Sequence, residues 1–270
     1  KPAEVEPPVA CPPQWLPVLL AAGAPAAFMS FQQLRTAAEE YNNNPTDIEA
    51  VYGPIGDWNV AAIDIMDNLF KDLVNFDANI TSWDTSSVTT MVGMFRGATS
   101  FNQPVGFDTS KVTKMNRMFE DAIAFNQPVT FDTPVLAQTG HMFRGAIAFN
   151  QPVTLDRPIL ELTSNMFRDA AAFNQQLSFD ITNVTKLSNM FLGTNALSDE
   201  NKALIVCAWQ SSIPFNSAYG LWPDCPSPSP PPPSPPAPPS PPPPAPSPPP
   251  PSPPAPPSPP PPAPSPPPPS

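Results

Sequence analysis

"MFRGATSFNQPVGFDTSKVTKMNRMF", residues 94–119, begins and ends on Met-Phe, and the pair returns at Met142-Phe143, Met166-Phe167 and Met190-Phe191, each 24 residues on. Aligning the copies by their first large residue gives Trp58, Trp83, Phe107, Phe131, Leu155 and Phe179, spaced by 25 and then by 24. Self-similarity at this period is the signature of a solenoid: one unit cannot bury its own apolar face, and stacked units make a continuous core.

One copy can be read in full. After Phe107, the residues Val112, Met115, Met118, Phe119 and Ala122 fall on one face of a short helix. Asp108, Thr109 and Ser110 offer capping oxygens at its start. Pro134 and Pro158 stand at the Ser110 position in two later copies, where a first-turn proline is tolerated. Gly97, Gly145 and Gly193 sit where the helix should stop, with Arg96 and Arg144 before two of them. Val129 and Phe131 then alternate with Thr130 and Asp132 as a short strand. The expectation is therefore an α/β, leucine-rich-repeat-like solenoid of about six 24-residue repeats over 57–197, each repeat one helical turn and one strand.

The flanks read as closures. Residues 28–56 predict an N-terminal helical cap, and 198–225 a C-terminal one, with Ser198 as helix cap and Asp199 and Glu200 in the first turn. Residues 1–27 read as a Pro-punctuated linker. Its apolar stretch "WLPVLLAAGAPAA" at 15–27 is short, holds two prolines and is preceded by Glu4 and Glu6 where a signal peptide carries basic residues. A chain opening on Lys1 points to a translation start further upstream.

The repeat pattern "W-D-x-S-x-V-T-x-M-x-x-M-F-x-x-A-x-x-F-N-Q" resembles the mycoplasma lipoprotein-associated repeat and the BspA-like leucine-rich-repeat surface proteins, over about residues 50–197. The resemblance implies a cell-surface or secreted solenoid, with adhesion or assembly as its role and no enzyme activity. Two copies, "VLAQTGHMF" and "ILELTSNMF", depart from the Val-Thr-x-Met start.

Acidic residues lead basic ones by 23 to 12, for a net charge of −11, which argues against nucleic acid and against an anionic membrane surface as partners. No apolar run reaches the length of a membrane span. The three cysteines have no metal-ligand spacing; Cys207 and Cys225 flank the end of the repeats and are the disulfide candidate, which leaves the partner of Cys11 open. Asn79 and Asn183 head N-glycosylation sequons.

Stacking turns positions shared by the copies into rows. Asn102, Asn126, Asn150 and Asn174 predict an asparagine ladder whose amides satisfy the backbone in the bends. Asp84, Asp108, Asp132, Asp156 and Asp180 read as caps of the helices that follow them; the sharper alternative is a calcium ladder. His141 lies in a variable column, Asn68, Gly93, Arg117, His141, Asn165 and Asn189, expected to be exposed, and no nucleophile pattern surrounds it. Lys71, Arg96, Glu120, Arg144 and Arg168, beside Asp72, Asp121 and Asp169, read as a solvated face balanced within itself. The outward strand row of Thr130, Thr154 and Ser178, with Gly106, offers a flat contact face for a sugar or another protein, or is simply a row of good strand residues. The Met and Phe columns read as core. Neither an active site nor a cofactor or metal centre emerges.

Residues 226–270 are only Pro, Ser and Ala, and "SPPPPSPPAPPSPPPPAP" recurs with a period of 18 from Ser229 and Ser247. Polyproline II has three residues per turn, so each period is six turns, roughly 56 Å, and the whole tail would reach about 140 Å. Ser234, Ala237, Ser240, Ser252, Ala255, Ser258 and Ser270 then share one edge, and over those stretches proline fills the other two. Ser followed by runs of proline resembles the extensin and pherophorin-type hydroxyproline-rich glycoproteins of plant and green-algal walls. That resemblance implies prolyl hydroxylation and O-glycosylation, with Pro230, Pro231, Pro232, Pro233, Pro241, Pro242, Pro243, Pro244, Pro248, Pro249, Pro250 and Pro251 as candidates. A cytosolic ligand of proline-binding modules is the rival, but the tail lacks the flanking Arg or Lys such ligands carry.

The reading that results is a secreted structural glycoprotein of a cell wall, extracellular matrix or filament. Its solenoid head would make protein contacts and its glycosylated polyproline tail would serve as a shaft, the copies associating through both. The alternative is a cell-surface adhesin or receptor-like module binding a glycan or protein.

Overall fold

The structure, a computed structural model, describes residues 27–223 and 225. Nearly all of the N-terminal linker with Cys11, and the polyproline tail with its candidate hydroxylation sites, lie outside the described residues. The chain divides into two units, Lys1–Ser227 and Pro228–Ser270.

Two helices open the described chain, α1 (Phe31–Asn43) and α2 (Pro45–Tyr52). Ser30 caps α1 by accepting from the Gln33 N–H. Asn44 ends α1 and starts α2, where its side chain accepts from the Asp47 N–H and Pro45 occupies the first turn. Leu34, Ala37 and Ala38 on one face of α1 are buried. Two helices close the chain, α3 (Asp199–Trp209), capped by Ser198, and α4 (Ile213–Tyr219), capped by Ser212. Cys207 on α3 is disulfide-bonded to Cys225.

Between these ends the 24-residue units stack as coils. Ile65, Thr90, Lys114, Gln138, Leu162 and Lys186 are joined in sequence by parallel bridges. On another side, β1 (Val129–Asp132) pairs in parallel with β2 (Val153–Asp156), Val129 against Val153 and Phe131 against Leu155, with Val, Phe and Leu inward and Thr and Asp outward.

The helix expected in each repeat is not there. In the third coil the N–H groups of Met115, Arg117, Phe119 and Asp121 donate to the carbonyls of Gln138, Gly140, Met142 and Arg144 in the next coil. The residues between them bond locally: Met118 to Met115, Glu120 to Arg117 and Ala122 to Phe119. Alternate N–H groups thus serve the neighbouring coil and the chain's own turn, so the i to i−4 ladder of an α-helix cannot form. The backbone allows this by entering the left-handed region twice in these turns of each coil, at Arg117 and Asp121 here, and at Asn68 and Asp72, Gly93 and Gly97, His141 and Gly145, Asn165 and Asp169, and Asn189 and Gly193 in the others. Consecutive three-residue turns bury Val112, Met115, Met118, Phe119 and Ala122, the same residues a helix face would bury.

Two phenylalanine columns fill the interior. Phe119 stacks on Phe125 of its own coil at 4.0 Å, and on Phe95 and Phe143 of the coils on either side at 5.5 Å each. The Met residues at 91, 94, 115, 118, 142 and 166 are fully buried against them. Burying each such side chain contributes about 1.5–3 kcal/mol, and the gain recurs with every coil.

The bends are held by the asparagine ladder. Asn102 Oδ1 accepts from the Asn126 N–H at 2.9 Å, Asn126 from Asn150 and Asn150 from Asn174. Asp77 takes this part ahead of the first asparagine, and Asn174 ends the row on the Ser198 N–H, at the start of α3.

Both ends of the backbone ladder are completed by side chains. The first coil has carbonyls that no earlier coil can meet, and the Arg35 guanidinium donates to two of them, Leu69 O at 2.6 Å and Lys71 O at 3.2 Å, and also to Asn68 O at 2.6 Å, which accepts the Lys71 N–H as well. At the far end the Phe191 N–H has no later coil to bond, and the Tyr219 hydroxyl accepts from it at 3.3 Å. Arg35→Met should therefore destabilise the protein by about 2–3 kcal/mol, because it strips charge-assisted donors from three carbonyls while keeping the apolar stem. Thermal unfolding measures the loss, and hydrogen exchange should rise first in the coil of Met66–Asp72. An unchanged melting temperature would refute the capping role.

Candidate functional site

The outward strand row is exposed: Thr130 and Thr154 face solvent as a register pair, and Ser178 is exposed one coil further on. Thr81 precedes them in the same row, with Gly106 between.

The aspartates at the neighbouring bend do not cap helices, since none follows them. They close turns instead. Asp108 Oδ1 accepts from the Ser110 N–H at 3.0 Å and hydroxyl at 2.7 Å, and Asp180 does the same with Thr182. Hydrogen bonds to Ser86, Ser110 and Thr182 hold the carboxyls of Asp84, Asp108 and Asp180 below their ordinary range. Between Asp132 and Asp156 lies Arg157, its Nη2 at 3.1 Å from one and its Nε at 3.2 Å from the other. These bonds offset the repulsion that stacking would impose, and no group of three or more His, Cys, Asp or Glu with metal-binding geometry exists among the described residues.

Both sequon asparagines, Asn79 and Asn183, are exposed, at bends on opposite sides of the strand rows. Asn79 Oδ1 accepts from the Thr81 N–H at 3.0 Å and hydroxyl at 2.8 Å, so this sequon is closed into a turn.

On the face made by the turns, the basic side chains of Lys71, Arg96, Arg144 and Arg168 stay in contact with solvent, and Glu120 alone departs from the solvated face expected for the row. The Glu120 side chain is only 3% exposed. Arg96 of the preceding coil reaches Oε2 at 3.0 Å, and Arg144 of the following coil reaches Oε1 at 3.0 Å. Arg117 approaches to 3.8 Å and His141 Nδ1 to 3.9 Å. A buried carboxylate needs paired cations, and here they come from both neighbours, so Glu120 braces three coils. His141 is half-buried rather than exposed, with its Nε2 3.5 Å from Asn165 Nδ2. Burial foremost, with Arg117, Arg144 and Arg168, lowers its pKa against the opposing pull of Glu120. The Asp121 carboxyl is raised, by burial first and then by Glu120. A shallow groove of about 420 Å³ runs beside this cluster, lined by Asn116, Arg117, Gly140, His141, Ser164 and Lys186 among others. Two guanidiniums occupy the Glu120 carboxylate, which makes it a structural anchor.

The column that holds His141 looked variable in residue type, and its shared property is conformational: Asn68, Gly93, Arg117, His141, Asn165 and Asn189 all have positive φ. Its high share of Asn and Gly was the available signal. For Glu120, the signal was one acid alone in a column of bases.

No helix among the described residues is long and apolar enough to cross a membrane. No curated protein and no solved structure matches the chain. The model of one family, described as a mycoplasma protein of unknown function, DUF285, matches twice, over residues 38–155 and again over 130–212. The two matches overlap, as repeats allow, and together they take in the end of α1, all of α2, every coil and α3; the chain belongs to the DUF285 family, that of the BspA-like domains.

Proposed function

We infer that the protein is a secreted structural glycoprotein of a cell wall, extracellular matrix or extracellular filament. Its head is a leucine-rich-repeat-like solenoid that works by contact and not by turnover, without a cofactor, and its proline-rich segment is a hydroxylated, glycosylated shaft. The observation that carries this reading is the pairing of two regular arrays in one chain. The coils repeat their outer side chains every 24 residues, with both ends closed by helices, and the Pro/Ser/Ala segment repeats every 18. Such arrays supply many equivalent weak contacts along a length, which suits lateral assembly. The exposed sequons at Asn79 and Asn183 and the Cys207–Cys225 disulfide fit an oxidising, glycosylating route outside the cell.

The test is intact mass and amino-acid analysis of protein from its native source. Hydroxyproline, and a mass that falls on chemical deglycosylation, are expected; plain proline and a mass unchanged by deglycosylation would overturn the wall reading.

A second reading, an adhesin or receptor-like module, is favoured by the exposed hydroxyl row of Thr130, Thr154 and Ser178. A saturable glycan or protein ligand that is lost on Thr130→Arg and Thr154→Arg would establish it instead.

A further inference from the structure

Where the last coil meets α4, a groove of about 630 Å³ opens beside the end of the described chain. Its wall is aromatic. Tyr219 and Trp222 lie with ring centroids 4.8 Å apart and tilted at 53°, and Trp222 rests on Phe191 at 5.2 Å. Tyr219 is fixed in place by the bond its hydroxyl accepts from the Phe191 N–H. Leu192 is 51% exposed on one side and Leu221 wholly exposed on the other. Large apolar side chains are exposed elsewhere on the head too, Met29 and Ile147 among them, but Leu221 is the most exposed of them among the described residues, and here two leucines flank a cluster of rings, which marks a contact site. The polar lining includes the Asn189 and Asn195 amides, which can donate; the charged Lys202 is paired with Asp199 at 2.8 Å.

We propose that this groove binds the proline-rich segment of a second copy of the chain. The chemistry matches on three counts. A polyproline strand offers ring faces and carbonyl acceptors but almost no N–H donors, and the groove offers aromatic faces with amide donors. The segment from residue 226 onward is uncharged, and the groove has no unpaired charge among its described lining residues. In the stretch around Ser234, Ala237 and Ser240, a threefold helix places proline on two edges and Ser or Ala on the third, so two edges can enter the groove while the serine edge stays outside for modification. We assign the occupant to a neighbour because the proline-rich sequence begins only four residues after Trp222 of the groove wall, and proline-rich sequence favours extension over a tight reversal. Each head then holds its neighbour's segment, a heterologous contact that builds a ring or an open filament according to whether its rotation closes.

The inference rests on the assembly reading given above and supplies its contact. The test uses the full-length, unmodified recombinant chain, so it is independent of whether the native protein carries hydroxyproline. In sedimentation velocity the chain should associate increasingly with concentration, and excess synthetic peptide of residues 229–246 should dissociate it. Leu192→Glu and Leu221→Glu change exposed side chains that the fold does not need, and each should weaken association at least about tenfold. Trp222→Ala should do the same, with circular dichroism confirming the fold. A chain that stays monomeric at every concentration overturns the proposal. So does association that neither the peptide nor the leucine variants alter, since it would run through another surface.

Discussion

Phe119→Ala will lower the stability of the head by about 3–5 kcal/mol. The side chain is fully buried at the centre of the stack, and its ring touches three others, in its own coil and in both neighbours. Removing it opens a cavity that the facing rings cannot fill, because each is held in register by its own coil's hydrogen bonds to the next. In a stack where units touch only their neighbours, the loss falls on two interfaces at once and divides the array in the middle. Denaturant unfolding followed by far-ultraviolet circular dichroism should show a broader transition at a lower midpoint. Phe191→Ala gives the contrast: it has one phenylalanine neighbour in the stack, Phe167, and otherwise contacts the rings of the closing helices, so it should loosen the C-terminal end without splitting the array. A loss below about 1 kcal/mol for Phe119→Ala would mean that the aromatic columns do not hold the coils together.

Gly145→Ala should cost about 2–4 kcal/mol through two separable effects. The residue sits at φ +68°, which disfavours any Cβ, and a Cβ there would collide with Asp121 Oδ1 of the preceding coil. The column alternates: Asp72, Gly97, Asp121, Gly145, Asp169, Gly193, with each aspartate lying over the glycine that follows it. Adding Asp121→Gly should remove the collision and leave only the backbone cost, so the double variant should be more stable than the two single losses added together. Gly140→Ala is the control, because a Cβ there would meet its neighbours only at 3.5 Å and beyond. A chain in which Gly140→Ala and Gly145→Ala are equally harmless would refute the steric account. The cycle is read by urea midpoints at constant slope.

The 24-residue step was legible because stacking demands the same apolar residues at the same place in every coil. The closing helices were legible because Ser198, Asp199 and Glu200 act locally. The asparagine row was readable for a related reason: a short amide in a bend has few uses other than bonding the backbone. The state of the backbone between Val112 and Ala122 was not readable in this way. Consecutive three-residue turns and a helix bury the same side chains there, so apolar spacing alone cannot separate them. What separates them is where alternate N–H groups go, and those bonds run to residues 23 away. The left-handed positions carried a cue in their Asn, Asp and Gly content, hidden because Arg117 and His141 occupy the same column. Glu120 was misread for a physical reason of the same kind. Its burial depends on arginines from two other coils, and a charge that would be solvated on a lone helix is enclosed once the coils stack.

The alternation of aspartate and glycine also sets a parity. Adding one coil anywhere in the stack would leave the hydrogen-bonding ladder and both closing helices intact, yet it would bring aspartate onto aspartate or glycine onto glycine in this column. Adding two coils restores the alternation. Aspartate over aspartate would meet a Cβ where glycine over glycine would not, so the duplication that lengthens the head without a collision wherever it falls is a pair of coils, and the six left-handed sites of this column, three aspartates and three glycines, already stand as three such pairs.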